Sequence, residues 1–313
     1  MEPVANQFQG YTPGPVQSVS TDWSDGRVSM LRLDLLQSWA SGNKYYKLKY
    51  TLEEAYRRSV HTVVSKGGMF SNHLYALSEA CNTFGFKCVC IIRSYGEDPA
   101  NPTLQCLRNN KCDLIFLDPS AYDVFNEFDA ERVSPGSSFI PEGGESKSAI
   151  RGATEILQSI DQRDVNHIII SGGTMTTAAG LLQSADENIQ LSIVPAWKGC
   201  TVDFVNNILE KYEIVPRCSW TLWPDFHFGG FAKSNKLLVS FMQSFTRATI
   251  IPLDPVYTAK MMYGICEKMK LGFFDKNDKI LAIHTGGLQG LEGAYYKNPD
   301  LFANYIGLVK GFI

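Results

Sequence analysis

The sequence predicts an α/β fold built on mostly parallel strands, and three observations carry that prediction. Short β-rich runs recur along the chain, each followed by a break and then a helix-like stretch. Some runs are apolar without alternation, as in Ile168-Ile169-Ile170, which suits strands covered on both faces. Three runs lead into glycine pairs, Gly67-Gly68, Gly172-Gly173 and Gly286-Gly287, and ligands of open α/β sheets bind at the carboxyl ends of strands.

In chain order, the runs at 61–65, 87–93, 113–117, 167–171 and 279–284 read as strands. Between them, Leu48, Leu52, Ala55 and Tyr56 fall on one helical face, with Glu53 and Arg57 as an i,i+4 pair of favourable order. Leu74, Leu77, Cys81 and Phe84 mark a second helix in the same way. The polar stretch 126–138, followed by Pro141-Glu142-Gly143-Gly144, reads as a domain crossing. The expected division is a larger unit of residues 1–49 plus 149–313, with residues 50–148 as a smaller inserted α/β unit. No internal repeat interrupts this pattern.

Composition narrows the function classes. The 313 residues are 44% hydrophobic and 19% charged, ample apolar material for a core. With 29 Lys+Arg against 32 Asp+Glu, the formal charge of −3 gives no footprint for nucleic acid or an anionic membrane. No apolar run approaches the roughly 18 residues of a membrane-spanning helix. Residues 1–7 carry Glu2 where a secretory leader wants basic residues, and no apolar segment follows. Eight cysteines are too dilute for a disulfide scaffold, and Cys88-x-Cys90 lies in a strand run at a separation unfavourable for a bridge. His61, His73, His167, His227 and His284 show no metal-ligand spacing, so no metal is predicted. The expectation is a soluble, reduced, cytoplasmic protein.

Three segments carry possible chemistry. Ser171-Gly-Gly-Thr-Met-Thr-Thr177 opens a helix, so the N–H groups of 173–177 and three threonine hydroxyls make a cup for a phosphate. It is neither a P-loop nor GxGxxG, and without a lysine it suits a small phosphorylated cofactor; a threonine N-cap after a tight turn is the equal alternative. Ser65-Lys-Gly-Gly-Met-Phe-Ser-Asn-His73 opens the second helix, where Ser71 or Asn72 serves as N-cap, or Ser71, Asn72 and His73 face a cleft. In Ser41-Gly-Asn-Lys-Tyr-Tyr-Lys-Leu-Lys-Tyr50 the apolar stripe, extended back from Leu48, lands on Lys44, while Lys47 and Lys49 fall to either side and reach water more easily. A lysine at a helix N-terminus has a lowered pKa, the condition for an imine-forming amine; a snorkelling surface lysine is the alternative.

Further segments complete the pattern. Leu253-Asp-Pro-Val-Tyr-Thr-Ala-Lys260 and His284-Thr-Gly-Gly287 follow in order, and Lys47-Leu48 and Ala179-Gly180 flank the segments already described. With them, the sequence resembles the family of 1-aminocyclopropane-1-carboxylate deaminase and D-cysteine desulfhydrase over nearly its whole length. That family lies in the tryptophan synthase β-like, fold type II group of pyridoxal 5′-phosphate enzymes. The resemblance implies two open, twisted, mostly parallel sheets with flanking helices, the larger unit binding the cofactor, a homodimer, and a small amino-acid substrate. It makes Lys44 the Schiff-base lysine and the base at the substrate α-carbon. Asn72 bonds the cofactor's 3′ oxygen, and Gly173, Thr174, Met175, Thr176 and Thr177 hold its phosphate. Tyr257 lies near the ring, while Ser71 and His73 meet the substrate carboxylate or assist proton transfer.

Thr258 stands where the ring-opening deaminases carry a glutamate beside the pyridine nitrogen. Thr285 in His-Thr-Gly-Gly and His73, in place of their glutamine, also match the D-cysteine desulfhydrase branch. A neutral hydroxyl at the ring nitrogen makes a weaker electron sink, which suits α,β-elimination. Phe228, in Asp225-Phe-His-Phe-Gly-Gly-Phe231, stands where characterised members carry a second tyrosine, and His227 lies beside it. Expected chemistry is therefore elimination from D-cysteine or a similar β-substituted amino acid, with ring opening of 1-aminocyclopropane-1-carboxylate as the close alternative. A non-catalytic binder of the cofactor or another phosphorylated ligand is the reading from another class.

Overall fold

The computed structural model describes residue 8 and residues 10–311, so the leader segment considered above lies outside the described residues. Ten strands appear in chain order: β1 (Val16–Ser18), β2 (Val28–Arg32), β3 (Thr62–Gly68), β4 (Lys87–Arg93), β5 (Asp113–Leu117), β6 (Ser138–Ile140), β7 (His167–Gly172), β8 (Gln190–Pro195), β9 (Ser219–Leu222) and β10 (Ile280–His284). The helices are α1 (Asn43–Arg57), α2 (Asn72–Phe84), α3 (Pro102–Asn109), α4 (Pro119–Val124), α5 (Glu127–Val133), α6 (Lys147–Thr154), α7 (Thr176–Ser184), α8 (Val202–Lys211), α9 (Lys236–Thr249), α10 (Thr258–Lys270), α11 (Gly290–Lys297) and α12 (Pro299–Val309).

The strands form two sheets, β1-β2-β10-β7-β8-β9 and β5-β4-β3-β6. Every pairing is parallel except β1 with β2. The unalternating isoleucines explain how the larger sheet is buried: Ile168 and Ile170 belong to one apolar core and Ile169 to the core on the opposite face. Strand β10 lies between β2 and β7 although β8 and β9 intervene in the chain, so the carboxyl ends of β7 and β10 open side by side. Among the described residues, no helix is long and apolar enough to cross a membrane.

Three expectations are corrected. The polar stretch 126–138 is not a bare linker: it contains α5, which Asn126 and Asp129 close with a reciprocal capping box. The boundary placed after residue 49 falls within α1, an unbroken helix. Finally, Lys47 and Lys49 are buried and Tyr56 is 43% exposed, the reverse of the single-stripe expectation for α1. The cause is tertiary. Helix α6 lies so close that a Cβ on Gly152 would meet the Tyr46 carbonyl, so α1 is covered on more than its apolar face. Lys49 there finds the Glu155 carboxylate, which also accepts from Tyr50.

Candidate active site

Helix α1 begins hard against the turn that follows β10. Asn43 N–H donates to the Thr285 carbonyl at 3.1 Å, and Gly42 N–H donates to the Leu33 carbonyl at 2.9 Å. Gly42 has φ +66°, and a Cβ there would stand 2.2 Å from the Thr285 oxygen, so only glycine passes. This entry places Lys44 one residue into the helix, where its Nζ donates to Asn43 Oδ1 at 3.0 Å. Burial pulls the Lys44 pKa down to about 8, against an opposing attraction from Asp254. A substantial neutral fraction near physiological pH makes this amine a nucleophile.

The candidate cup at 173–177 runs from β7 into α7, with Met175 rather than a threonine at the N-cap position. Met175 turns the chain at φ +60°, and its carbonyl is the acceptor for Ala179 N–H at 2.8 Å. The N–H groups opening α7 therefore have no partner within the helix and favour an anion. Thr174 Oγ1 and Thr176 Oγ1 lie 2.9 Å apart, and Thr177 Oγ1 accepts from Asn43 Nδ2 at 3.0 Å. The loop carries no lysine of its own, but α1 supplies one: Lys47 Nζ lies 3.3 Å from Thr174 Oγ1. Desolvation, then repulsion from Lys44, holds the Lys47 pKa well below its ordinary value, so a bound anion would be its missing counter-charge. A Cβ on Gly173 would crowd the Tyr257 ring at 3.2 Å, which places that ring along the cup.

At the start of α2, Ser71 is the N-cap, its Oγ accepting from Leu74 N–H at 3.2 Å. The Asn72 amide lies against the turn after β10, since a Cβ on Gly287 would stand 2.8 Å from its Nδ2. His73 is buried. Ser65 Oγ donates to the Ile140 carbonyl at 2.7 Å, so at 2.9 Å from His73 Nε2 it acts as the acceptor. That assigns the proton to Nε2 and leaves a lone pair on Nδ1, which is buried without a partner. Burial, followed by the amines of Lys47 and Lys44, pushes the His73 pKa well below the usual range. The imidazole is a neutral acceptor.

Opposite these groups, the Asp254 carboxylate gathers the turn that opens α10. It accepts from Val256 and Tyr257 N–H at 2.9 and 2.8 Å, and from Thr258 N–H at 2.9 Å. Thr258 Oγ1 donates to Asp254 Oδ2 at 2.7 Å and accepts Asp254 N–H at 2.8 Å. With its proton committed, the threonine oxygen offers any further partner only a lone pair. Burial, with the charges of Asp254 and Glu142, raises the Tyr257 pKa far enough to keep the phenol protonated. The ring beside Tyr257 is that of Phe231, at 6.1 Å between centroids, whereas Phe228 packs on Tyr263 at 4.9 Å. His227 serves its own loop, Nδ1 accepting from Gly229 N–H at 2.9 Å.

The structure thus brings Lys44, Asn72, His73, Tyr257 and residues 173–177 to neighbouring strand ends and helix starts. Thr285 enters through its carbonyl, while the hydroxyl of Thr258 is engaged by Asp254 and the Ser71 oxygen caps α2. Sequence reasoning missed Lys47, Asp254 and the turn at 142–144. A Cβ on Gly143 would stand 2.8 Å from Thr174, and one on Gly144 would stand 3.1 Å from His73. The paired glycines after Pro141 are the signal in the sequence for that turn.

No family model matches the chain. A curated relative from Pyrococcus abyssi, described as "Putative 1-aminocyclopropane-1-carboxylate deaminase", is 30% identical over 285 residues, covering 84% of this chain and 85% of the relative. A crystal structure of an ACC deaminase homologue superposes with a TM-score of 0.75 at 22% identity, over 97% of this chain and 99% of that one. A pyridoxal 5′-phosphate-dependent aspartate racemase superposes with a TM-score of 0.62 at 15% identity, over 90% of this chain and 92% of that one. Two parallel sheets meeting at such strand ends are the fold type II arrangement of pyridoxal 5′-phosphate-dependent enzymes. At the level of sequence, the chain belongs to the 1-aminocyclopropane-1-carboxylate deaminase family.

Proposed function

We propose that the chain is a lyase that removes the α-proton and a β-leaving group from D-cysteine or a similar β-substituted amino acid, giving pyruvate and ammonia. The observation that carries this reading is the desolvated amine of Lys44 at a helix start, bonded to Asn43, which in turn donates to Thr177 of the threonine cup. The residues present suit pyridoxal 5′-phosphate. The open N–H groups of α7 and the underprotonated Lys47 match a phosphate, and Gly173 leaves free the space that a Cβ would take beside Tyr257. When bound, the cofactor supplies an aldehyde for amine exchange and an electron-withdrawing ring.

In this reading Lys44 Nζ would be the group that holds the cofactor aldehyde, and the same amine would accept the proton from the substrate α-carbon. Residues 173–177 and Lys47 hold the phosphate. Asn72 would hold the 3′ oxygen, Thr258 would face the ring nitrogen, and Thr285 and Tyr257 would line the ring's site. Ser71 retains a hydroxyl proton to donate to the substrate carboxylate, and His73 Nδ1 is placed to accept a proton. The sheet β5-β4-β3-β6 with its helices, which carries Ser71, Asn72 and His73, would act as the smaller unit beside a larger cofactor-holding one.

One observation favours a second reading. Because Thr258 donates to Asp254, its oxygen can only accept from the ring nitrogen, which would favour a protonated ring and a stronger electron sink. That supports ring opening of 1-aminocyclopropane-1-carboxylate to 2-oxobutyrate and ammonia, the substrate in the relatives' names. Parallel assays of D-cysteine, L-cysteine and 1-aminocyclopropane-1-carboxylate separate the two. Pyruvate and sulfide from D-cysteine supports elimination, 2-oxobutyrate supports ring opening, and no keto acid from any of them refutes both.

A further inference from the structure

The smaller sheet contains a cluster of thiols that the proposed chemistry does not use. Cys88 and Cys90 are i and i+2 on β4 and so share one face. The register Val89↔Asp113 puts Cys112, just before the edge strand β5, level with Cys88. The Sγ atoms of Cys88, Cys90 and Cys112 all lie within 4.8 Å of one another, with Cys88 and Cys90 at 3.6 Å. Cys81 of α2 brings a fourth sulfur against Cys88. All four are free thiols in the apolar core that includes Leu77, Leu104 and Leu107.

We propose that Cys88, Cys90 and Cys112, with Cys81 beside them, form a binding site for one thiophilic closed-shell cation, zinc being the best match. With metal–sulfur bonds of about 2.3 Å, a tetrahedral site needs sulfurs about 3.8 Å apart; Cys88 and Cys90 at 3.6 Å match that spacing, and Cys112 lies within 4.8 Å of both. An all-sulfur donor set selects soft or borderline ions over magnesium or calcium. A divalent charge offsets the thiolates more fully than a monovalent one, which matters where net charge is poorly solvated. Each metal–sulfur bond that forms releases one thiol proton to water, and no oxidant or reductant is required. Entry is from the Cys112 side, since Cys112 is 8% exposed and lies at the sheet edge, whereas Cys90 is fully enclosed. The bound ion would tie β5 to β4 and to the helix that begins with Asn72 and His73.

The test is a titration of the reduced, intact protein with cadmium, the spectroscopic stand-in for zinc. Thiolate-to-metal absorption and native mass spectrometry give affinity and stoichiometry. The expected result is one cadmium per chain, with affinity falling at least about tenfold in Cys112→Ser and unchanged in Cys218→Ser, a buried cysteine outside the cluster. A folded wild-type chain that takes up no cadmium overturns the proposal, as does unchanged affinity in Cys112→Ser. If that variant fails to fold, cobalt titration of the wild-type chain decides. Tetrahedral bands with sulfur charge transfer support the site, and their absence overturns it.

Discussion

The amine of Lys47, on α1, lies 3.3 Å from the Thr174 hydroxyl in the turn that opens α7, so in the proposed function one helix would supply both the aldehyde-reactive amine and a donor for the phosphate. Replacing Lys47 by Met keeps most of the buried stem and removes the charge. A charge-assisted hydrogen bond contributes about 1.5–3 kcal/mol. Lys47→Met is therefore expected to weaken pyridoxal 5′-phosphate binding about ten- to a hundredfold, read by absorbance titration of the apo-protein, with the Lys44 adduct still forming at saturation.

Lowered lysine pKa values give a pH signature. Lys44 and Lys260 both fall to about 8 from 10.5, chiefly by burial; Lys260 Nζ donates to the Ala196 and Gly230 carbonyls at 3.0 and 2.8 Å. Between about pH 8 and 10.5 the unfolded chain binds more protons at these sites, so their contribution to stability rises with pH there and is flat below. The stability advantage of the wild-type apo-protein over Lys260→Met, read as the difference in urea midpoint, should grow from pH 8 to 9.5, since buried thiols such as Cys112 and Cys200, whose raised pKa values act in the opposite direction, are common to both. The rate at which the apo-protein captures the cofactor aldehyde should rise through about pH 8.

Asp254 raises the Lys44 pKa and fixes the Thr258 hydroxyl. Asp254→Asn removes the charge and keeps an acceptor. The pH midpoint for aldehyde capture should move below that of wild type, and the pH dependence of the bound chromophore should shift as Thr258 regains freedom to donate. An unchanged capture midpoint would show that Asp254 does not act on Lys44.

Gly42 is a third control point. Its φ of +66° costs a residue with a side chain about 1–3 kcal/mol, before the 2.2 Å approach to the Thr285 oxygen is counted. Gly42→Ala should lower the melting temperature and weaken cofactor retention together, because Lys44 follows within two residues. Thermal denaturation with and without cofactor checks both.

Much of this was legible in the sequence because strands and glycine turns are local. The runs at 87–93 and 113–117 match β4 and β5 residue for residue, and the glycine turn after Gly172 leads into α7 at Thr176. What failed was inference about neighbours. A helical wheel places Lys47 and Lys49 toward water, yet α6 and the cup cover those flanks, and no periodicity within α1 encodes that. Three-residue strands such as β1 and β6 are too short to show alternation. Asp254 was visible only as part of a motif, since the four hydrogen bonds its carboxylate accepts appear once the chain turns back on itself.

The most direct test is borohydride reduction of the purified, cofactor-loaded protein followed by peptide mapping. The cofactor mass should be fixed to the peptide containing Lys44, with the yellow colour bleached, and Lys44→Ala should be colourless and inactive. Label on Lys47 or any other lysine, or an Ala variant that stays yellow and turns over substrate, would contradict the assignment.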